Sequence, residues 1–213
     1  MKTLQLAAGL ILFLSLASPA ARGGQIGLGA FTSAAVVQDF EGLGIATTNH
    51  NSPFVIGNDT YDTDNHVLRS SGKFGPAIGR SGVAIENDPE GSTALIGFIE
   101  IVLGTPALRA GMYLGSQFAW AADVRFYDGS NILLGTVGLT GNGRDNGFVA
   151  WQADIGSIGR IHVVDLINIM DAFNNPLIID DFIQEIPEPL TIFNILIGIL
   201  AVLLARRRRP AGW

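Results

Sequence analysis

Side chains able to do acid–base, nucleophilic or metal chemistry are few in this chain and poorly spaced for it. His50, His66 and His162 are far apart and form neither a His-x-x-His nor a His-Glu-x-x-His pattern, so no helical zinc motif is present. The chain has no cysteine, which excludes disulfides, thiolate nucleophiles, zinc–cysteine sites and iron–sulfur clusters. No Gly-x-Ser-x-Gly elbow exists to seat a nucleophilic serine. Carboxylates are plentiful, with 19 Asp+Glu, but the pairing that glycoside hydrolysis needs is a tertiary fact and no pair stands out. The chain reads as non-catalytic, with a glycoside-active enzyme as the lesser alternative.

Two acidic stretches invite a metal reading. Asn58 to His66 carries oxygen ligands at alternate positions. Counted from Asp62, however, the sixth and twelfth positions are Val67 and Lys73, where an EF-hand needs Gly and Glu. Gly141 to Gly147 reads as a turn. Both stretches are expected to be solvated connectors. Among the aromatics, Tyr113, Trp120, Tyr127 and Trp151 could stack on sugar rings. Trp120 alternates in phase with Ala122, Val124 and Phe126, and Trp151 with Val149, which assigns both indoles to the core. Tyr113 shares the face of Arg109, and Tyr127 lies beside Asp128. Those two tyrosines are the candidate ligand-binding residues.

The elements that must position these residues are strands. Period-two alternation runs over 108–114 and 120–127, and Asp128-Gly129-Ser130-Asn131 turns the chain into 132–139 as a hairpin. Residues 94–103, 147–153, 158–166 and 177–186 supply further strands, and no interior stretch has a capped 3.6-residue period. The expected fold is all-β, a single antiparallel β-sandwich over residues 35–186, preceded by a Gly/Ala/Ser-rich linker or edge at 22–34.

Both ends of the chain read as export signals. The mean hydropathy of +0.36 is high for 213 residues, and residues 4–17 and 190–205 supply the excess. Lys2, an apolar run and small residues up to Ala21 have the layout of a secretory signal peptide, residues 1–21. Leu190 to Ala205 would rise about 24 Å as a helix and serve as a transmembrane segment. The arginines that follow stay cytoplasmic by the positive-inside rule. Between the apolar segments lie 8 of the 13 basic residues and all 19 acidic ones, a formal charge of −11, which argues against nucleic acid as a partner. The expected localisation is a bacterial cytoplasmic membrane, with the ectodomain outside the cytoplasm.

Pro187-Glu188-Pro189, a short apolar helix and then Arg206, Arg207, Arg208 and Arg209 resemble the PEP-CTERM sorting signal, here residues 187–213. That resemblance implies an exosortase-type processing partner, release to the surface or matrix, and a setting of exopolysaccharide and biofilm. Leu190 and Asn194 depart from the commonest form of the signal. A second resemblance rests on Phe40-Glu41-Gly42 at the opening and Ile179-Asp180-Asp181-Phe182 at the close. These patches resemble jelly-roll carbohydrate-binding, galactose-binding-like domains, in which the first and last strands are neighbours. The resemblance implies polysaccharide as a ligand, with Glu41 and Asp180 or Asp181 as candidate ligands of a structural calcium. Alternation puts Asp180 and Asp181 on opposite faces, against both serving one ion. The reading as a whole is an exported, membrane-sorted, non-catalytic surface or matrix protein, with a carbohydrate-binding module as the alternative.

Overall fold

The computed structural model describes residues 23–43, 48–51, 53–63, 67–71, 83–87, 97–116, 119–142, 146–166 and 177–187. The signal-peptide segment, residues 188–213 of the sorting signal and His66 lie outside the described residues. Fourteen strands are present among them: β1 (Gly23–Gln25), β2 (Val36–Gln38), β3 (Thr48–Asn51), β4 (Phe54–Ile56), β5 (Asp59–Thr63), β6 (Val67–Ser71), β7 (Ala84–Asn87), β8 (Phe98–Ala107), β9 (Arg109–Gly115), β10 (Trp120–Asp128), β11 (Leu133–Gly141), β12 (Gly147–Ala153), β13 (Ile158–Asp165) and β14 (Ile178–Glu185). The only helical turns among them are the 3-10 turns Leu28–Ala30 and Glu41–Leu43. No helix of the described residues is long and apolar enough to cross a membrane.

The alternation read from the sequence is what builds the sandwich. Trp120, Ala122, Val124 and Phe126 point inward from β10 and are buried, while Ala121, Asp123, Arg125 and Tyr127 point out. Their strand belongs to a six-stranded sheet ordered β11-β10-β13-β8-β5-β4. The second sheet runs β1-β12-β9-β14-β7-β6-β3, with β2 added alongside β14, and every pairing is antiparallel. Ile99, Ile101, Val163 and Phe126 from the first sheet and Met112, Leu114, Val149 and Phe182 from the second share one buried core. The hairpin at 128–131 forms as expected: Asp128 Oδ1 accepts the N–H groups of Ser130 and Ile132 at 2.8 and 2.9 Å.

Two features of the closing strand go beyond simple alternation. First, β2 pairs with β14, joining Val36–Gln38 to Phe182–Gln184, so the strand leading into Phe40-Glu41-Gly42 neighbours the closing strand, while β1 pairs with β12. Second, β14 carries a bulge between Asp180 and Ile183, with Asp181 at φ +43°. Strict alternation from Ile179 would turn Asp181 inward and Phe182 outward. The extra residue resets the phase, so that Ile179 and Phe182 both enter the core. Phe182 there meets Tyr61 edge to face, and Tyr61 meets Phe40 in the same way.

The stretch expected to be a solvated connector at 58–66 is largely strand β5, and Asp59 within it is 2% exposed. Its carboxylate is not left dry. Oδ1 accepts the Gly104 N–H at 3.0 Å, and Oδ2 accepts Gln184 Nε2 at 2.8 Å. Gly104 is what permits the approach, because a Cβ there would collide with the Asn58 backbone. Strand β8 therefore continues past Gly104 to Ala107, beyond the end at 103 expected for it.

Candidate functional site

The two sheets differ in what covers their outer faces. On the eight-stranded sheet, residues 26–35 close over β9 and β12. Arg109 donates through Nε to Gln152 Oε1 at 3.0 Å, and through Nη1 to the Ala30 carbonyl at 2.8 Å and Glu185 Oε2 at 2.9 Å. Thr32 donates its hydroxyl to Glu185 Oε1 at 2.9 Å. Phe31 stands edge-on to Phe148, which lies 5.0 Å from the Tyr113 ring. The segment expected as a linker or edge is partly edge strand, in β1, and partly cover.

That cover corrects the expectation for Tyr113. The residue does point away from the core, in register with Asp180 on β14 and Phe148 on β12. It is only 9% exposed beneath Phe148 and offers no platform to a ligand. Trp120 and Trp151 are in the core as expected.

The outer face of the six-stranded sheet is open among the described residues, and Tyr127 stands on it. Cross-strand register aligns its neighbours in rows. Leu133, Tyr127, Arg160, Val102, Thr60 and Val55 occupy successive strands at one level. One level along, Thr136, Arg125, His162, Glu100 and Asp62 do the same. The Arg160 guanidinium lies 4.1 Å from the Tyr127 ring centroid and donates to Glu100 Oε1 at 2.8 Å. Arg125 and Asp123 approach to 3.8 Å, and Phe98 stands edge-on to His162 at 5.0 Å.

Burial pushes the His162 imidazole below its ordinary value. Glu100 works against this, while Arg125 and Arg160 add to it, so the ring is neutral at pH 7 and can both donate and accept. Asp62 and Glu100 stand directly opposite each other, but Glu100 is committed to Arg160. The face therefore offers hydrogen-bond donors and acceptors in a fixed array around one aromatic–guanidinium stack. Only Tyr127 of this array stood out in the sequence. Apart from Arg125 on its own strand, its neighbours in the two rows come from the five other strands of the sheet and are defined by register.

Of the residues that the resemblance makes candidate calcium ligands, Glu41 and Asp180 each hold a backbone amide. Glu41 Oε1 accepts the Val83 N–H at 3.0 Å, and Asp180, buried behind the β14 bulge, holds the Asp181 N–H at 2.8 Å. Among the described residues, no three His, Cys, Asp or Glu side chains are grouped so as to hold a metal ion. Of the sorting-motif residues only Pro187 is described, two residues beyond the end of β14.

No protein-family model matches the sequence, and no curated protein matches it. Solved structures to which the chain is similar include a CBM61 carbohydrate-binding module in complex with β-1,4-galactotriose. That match has a TM-score of 0.40 and 12% identity, over 58% of this chain and 85% of that one. A point mutant of the CBM29-2 carbohydrate-binding module, complexed with cellulohexaose, gives a TM-score of 0.39 and 9% identity over 72% and 92% of the two chains. The K2 cleaved adhesin domain of Lys-gingipain gives 0.40 and 9% over 72% and 100%. Likeness at this level carries no inference about ligand or activity.

Proposed function

We propose that this chain is an exported, membrane-sorted, non-catalytic surface or matrix protein whose sandwich binds polysaccharide through the open face of the six-stranded sheet. The observation that carries the binding half is the array of Tyr127, Arg160, Glu100 and His162, half-buried on one outer face and held by mutual contacts. Sugars present an apolar ring face and a rim of hydroxyls, and this face sets an aromatic ring beside hydrogen-bonding side chains on the neighbouring strands. On the opposite sheet, residues 26–35 lie over β9 and β12 and leave Tyr113 only 9% exposed.

Export rests on the N-terminal signal-like segment and on Pro187-Glu188-Pro189, the apolar run and Arg206–Arg209. By resemblance, an exosortase-type enzyme acts near Pro187. The test of binding is retention of the full chain, purified in detergent, on insoluble uncharged polysaccharides. Retention is expected, without release of reducing sugar. Sugar release that disappears in Glu100→Gln would replace the reading with a glycoside-active enzyme. The test of sorting is fractionation of cells carrying Arg206–Arg209 changed to Gln. Loss of membrane retention is expected, and unaltered anchoring would remove the cluster from the account.

A further inference from the structure

The ladder registers continue the open face further than the Tyr127 array. The row Leu133–Tyr127–Arg160–Val102–Thr60–Val55 crosses all six strands of the sheet without a gap. Five inter-strand spacings of about 4.8 Å make it about 24 Å long, the reach of an oligosaccharide and several times that of one sugar. Its apolar members are exposed where a soluble strand would ordinarily carry polar residues: Leu133 50%, Val102 41% and Val55 58%. The parallel row of Thr136, Arg125, His162, Glu100 and Asp62 runs alongside and supplies donors and acceptors at every strand it crosses.

Charge narrows the ligand. Arg160 is matched by Glu100 at 2.8 Å, and Arg125 by Asp123 at 3.8 Å, while Asp62 adds a further carboxylate. An anionic polymer would meet carboxylates with both guanidinium groups already engaged, whereas an uncharged one would meet a charge-compensated surface.

Resting on the polysaccharide reading, we infer that the ligand is an uncharged glycan chain lying across the strands and contacted along its length, with Val55 and Leu133 at the two ends of the track. The full chain in detergent is titrated with gluco- and galacto-oligosaccharides of two and of six residues, and with alginate as the anionic comparison. A six-residue chain of one series should bind at least about tenfold more tightly than its dimer, since only the longer chain spans the row. Val55→Asp together with Leu133→Asp, both at exposed positions, should abolish most of that difference and leave the melting temperature unchanged. Equal affinity for dimer and hexamer, or alginate binding more tightly than the neutral chains, would overturn the track while leaving polysaccharide binding in place. Absence of binding by every saccharide would overturn the polysaccharide reading itself.

Discussion

Gln184 of β14 donates through Nε2 to Asp59 Oδ2 at 2.8 Å, across 125 residues of sequence and from one sheet to the other. The bond exists because the bulge at Asp181 turns Gln184 inward, and because Gly104 lets the β4–β5 turn approach β8. Burial raises the Asp59 carboxyl above its ordinary value, against the opposing pull of the Gly104 N–H and the Gln184 amide. Burial, and then the Asp59 charge, push the neighbouring Tyr61 phenol up, and its hydroxyl has no hydrogen-bond partner among the described residues.

A raised folded value means the native state holds the Asp59 proton more tightly than the unfolded chain does. Its contribution to stability is therefore fully present below the unfolded carboxyl's value and is lost as pH rises through the folded one. Asp59→Asn keeps an acceptor for Gly104, removes the charge, and lets Gln184 offer its unpartnered Oε1 to the new amide. The variant should gain on the parent in melting temperature as pH is raised from about 4 to 7. Asp59→Ala, which strands the Gly104 N–H, should cost about 1–3 kcal/mol in denaturant unfolding at pH 4, and less as pH is raised to 7.

Glu185 behaves oppositely. Desolvation disfavours its charge, but the Thr32 hydroxyl and amide and the Arg109 guanidinium outweigh it and hold the carboxyl below its ordinary value. The hold that residues 30–35 have on β14 is then present above the unfolded carboxyl's value and is lost as pH falls through the lowered folded one. Amide hydrogen exchange should show residues 30–35 opening faster at pH 4 than at pH 7, once the intrinsic exchange rate at each pH is divided out. In Arg109→Gln the segment should be fast at both.

Gly135 faces the core opposite Phe126, and a Cβ there would run into the Trp151 indole, which is stacked on Phe126 at 5.7 Å. Gly135→Ala should destabilise the fold by about 1–3 kcal/mol through overpacking. Gly138→Ala, on the outward side of the same strand and with room beside Asp123, should change stability by less than about 0.5 kcal/mol. Urea midpoints for the two variants would separate these outcomes.

Arg160→Ala removes the stack on Tyr127 and releases Glu100. Polysaccharide retention should fall by about tenfold or more, while thermal stability changes by about 1 kcal/mol or less, as for other half-exposed ion pairs. Tyr113→Phe, under the N-terminal cover, should leave retention unchanged. If the two variants bound alike, the open face would not be the site.

How much of the fold could be read from the sequence depends on the range of each interaction. The phase of β10 was legible because Trp120 to Tyr127 alternate without interruption, and the Asp128 turn because its partners lie within four residues. Tyr113 was placed on the correct side of its strand and still misjudged. Its cover is Phe148, backed by Phe31 in a segment whose Gly, Ala and Ser content reads as a linker. Asp59 looked solvated because its neighbours are polar, and the partner that changes this sits beyond a bulge that no local pattern announces. Most of the open-face rows were invisible for the same reason. A strand shows which of its residues face outward, but their neighbours depend on the registers of the other strands.

The place of β14 has a mechanical consequence. It is laddered on one side to β9 and on the other to β7 and β2, and the chain leaves it at Glu185, where Arg109 and Thr32 grip the carboxylate. A domain tethered through residues 187–213 would receive drag from its surroundings at that point. The pull would run along β14, loading both ladders in shear together instead of unzipping one bond at a time. The strand from which the chain runs on toward residues 187–213 is thus seated to take tension.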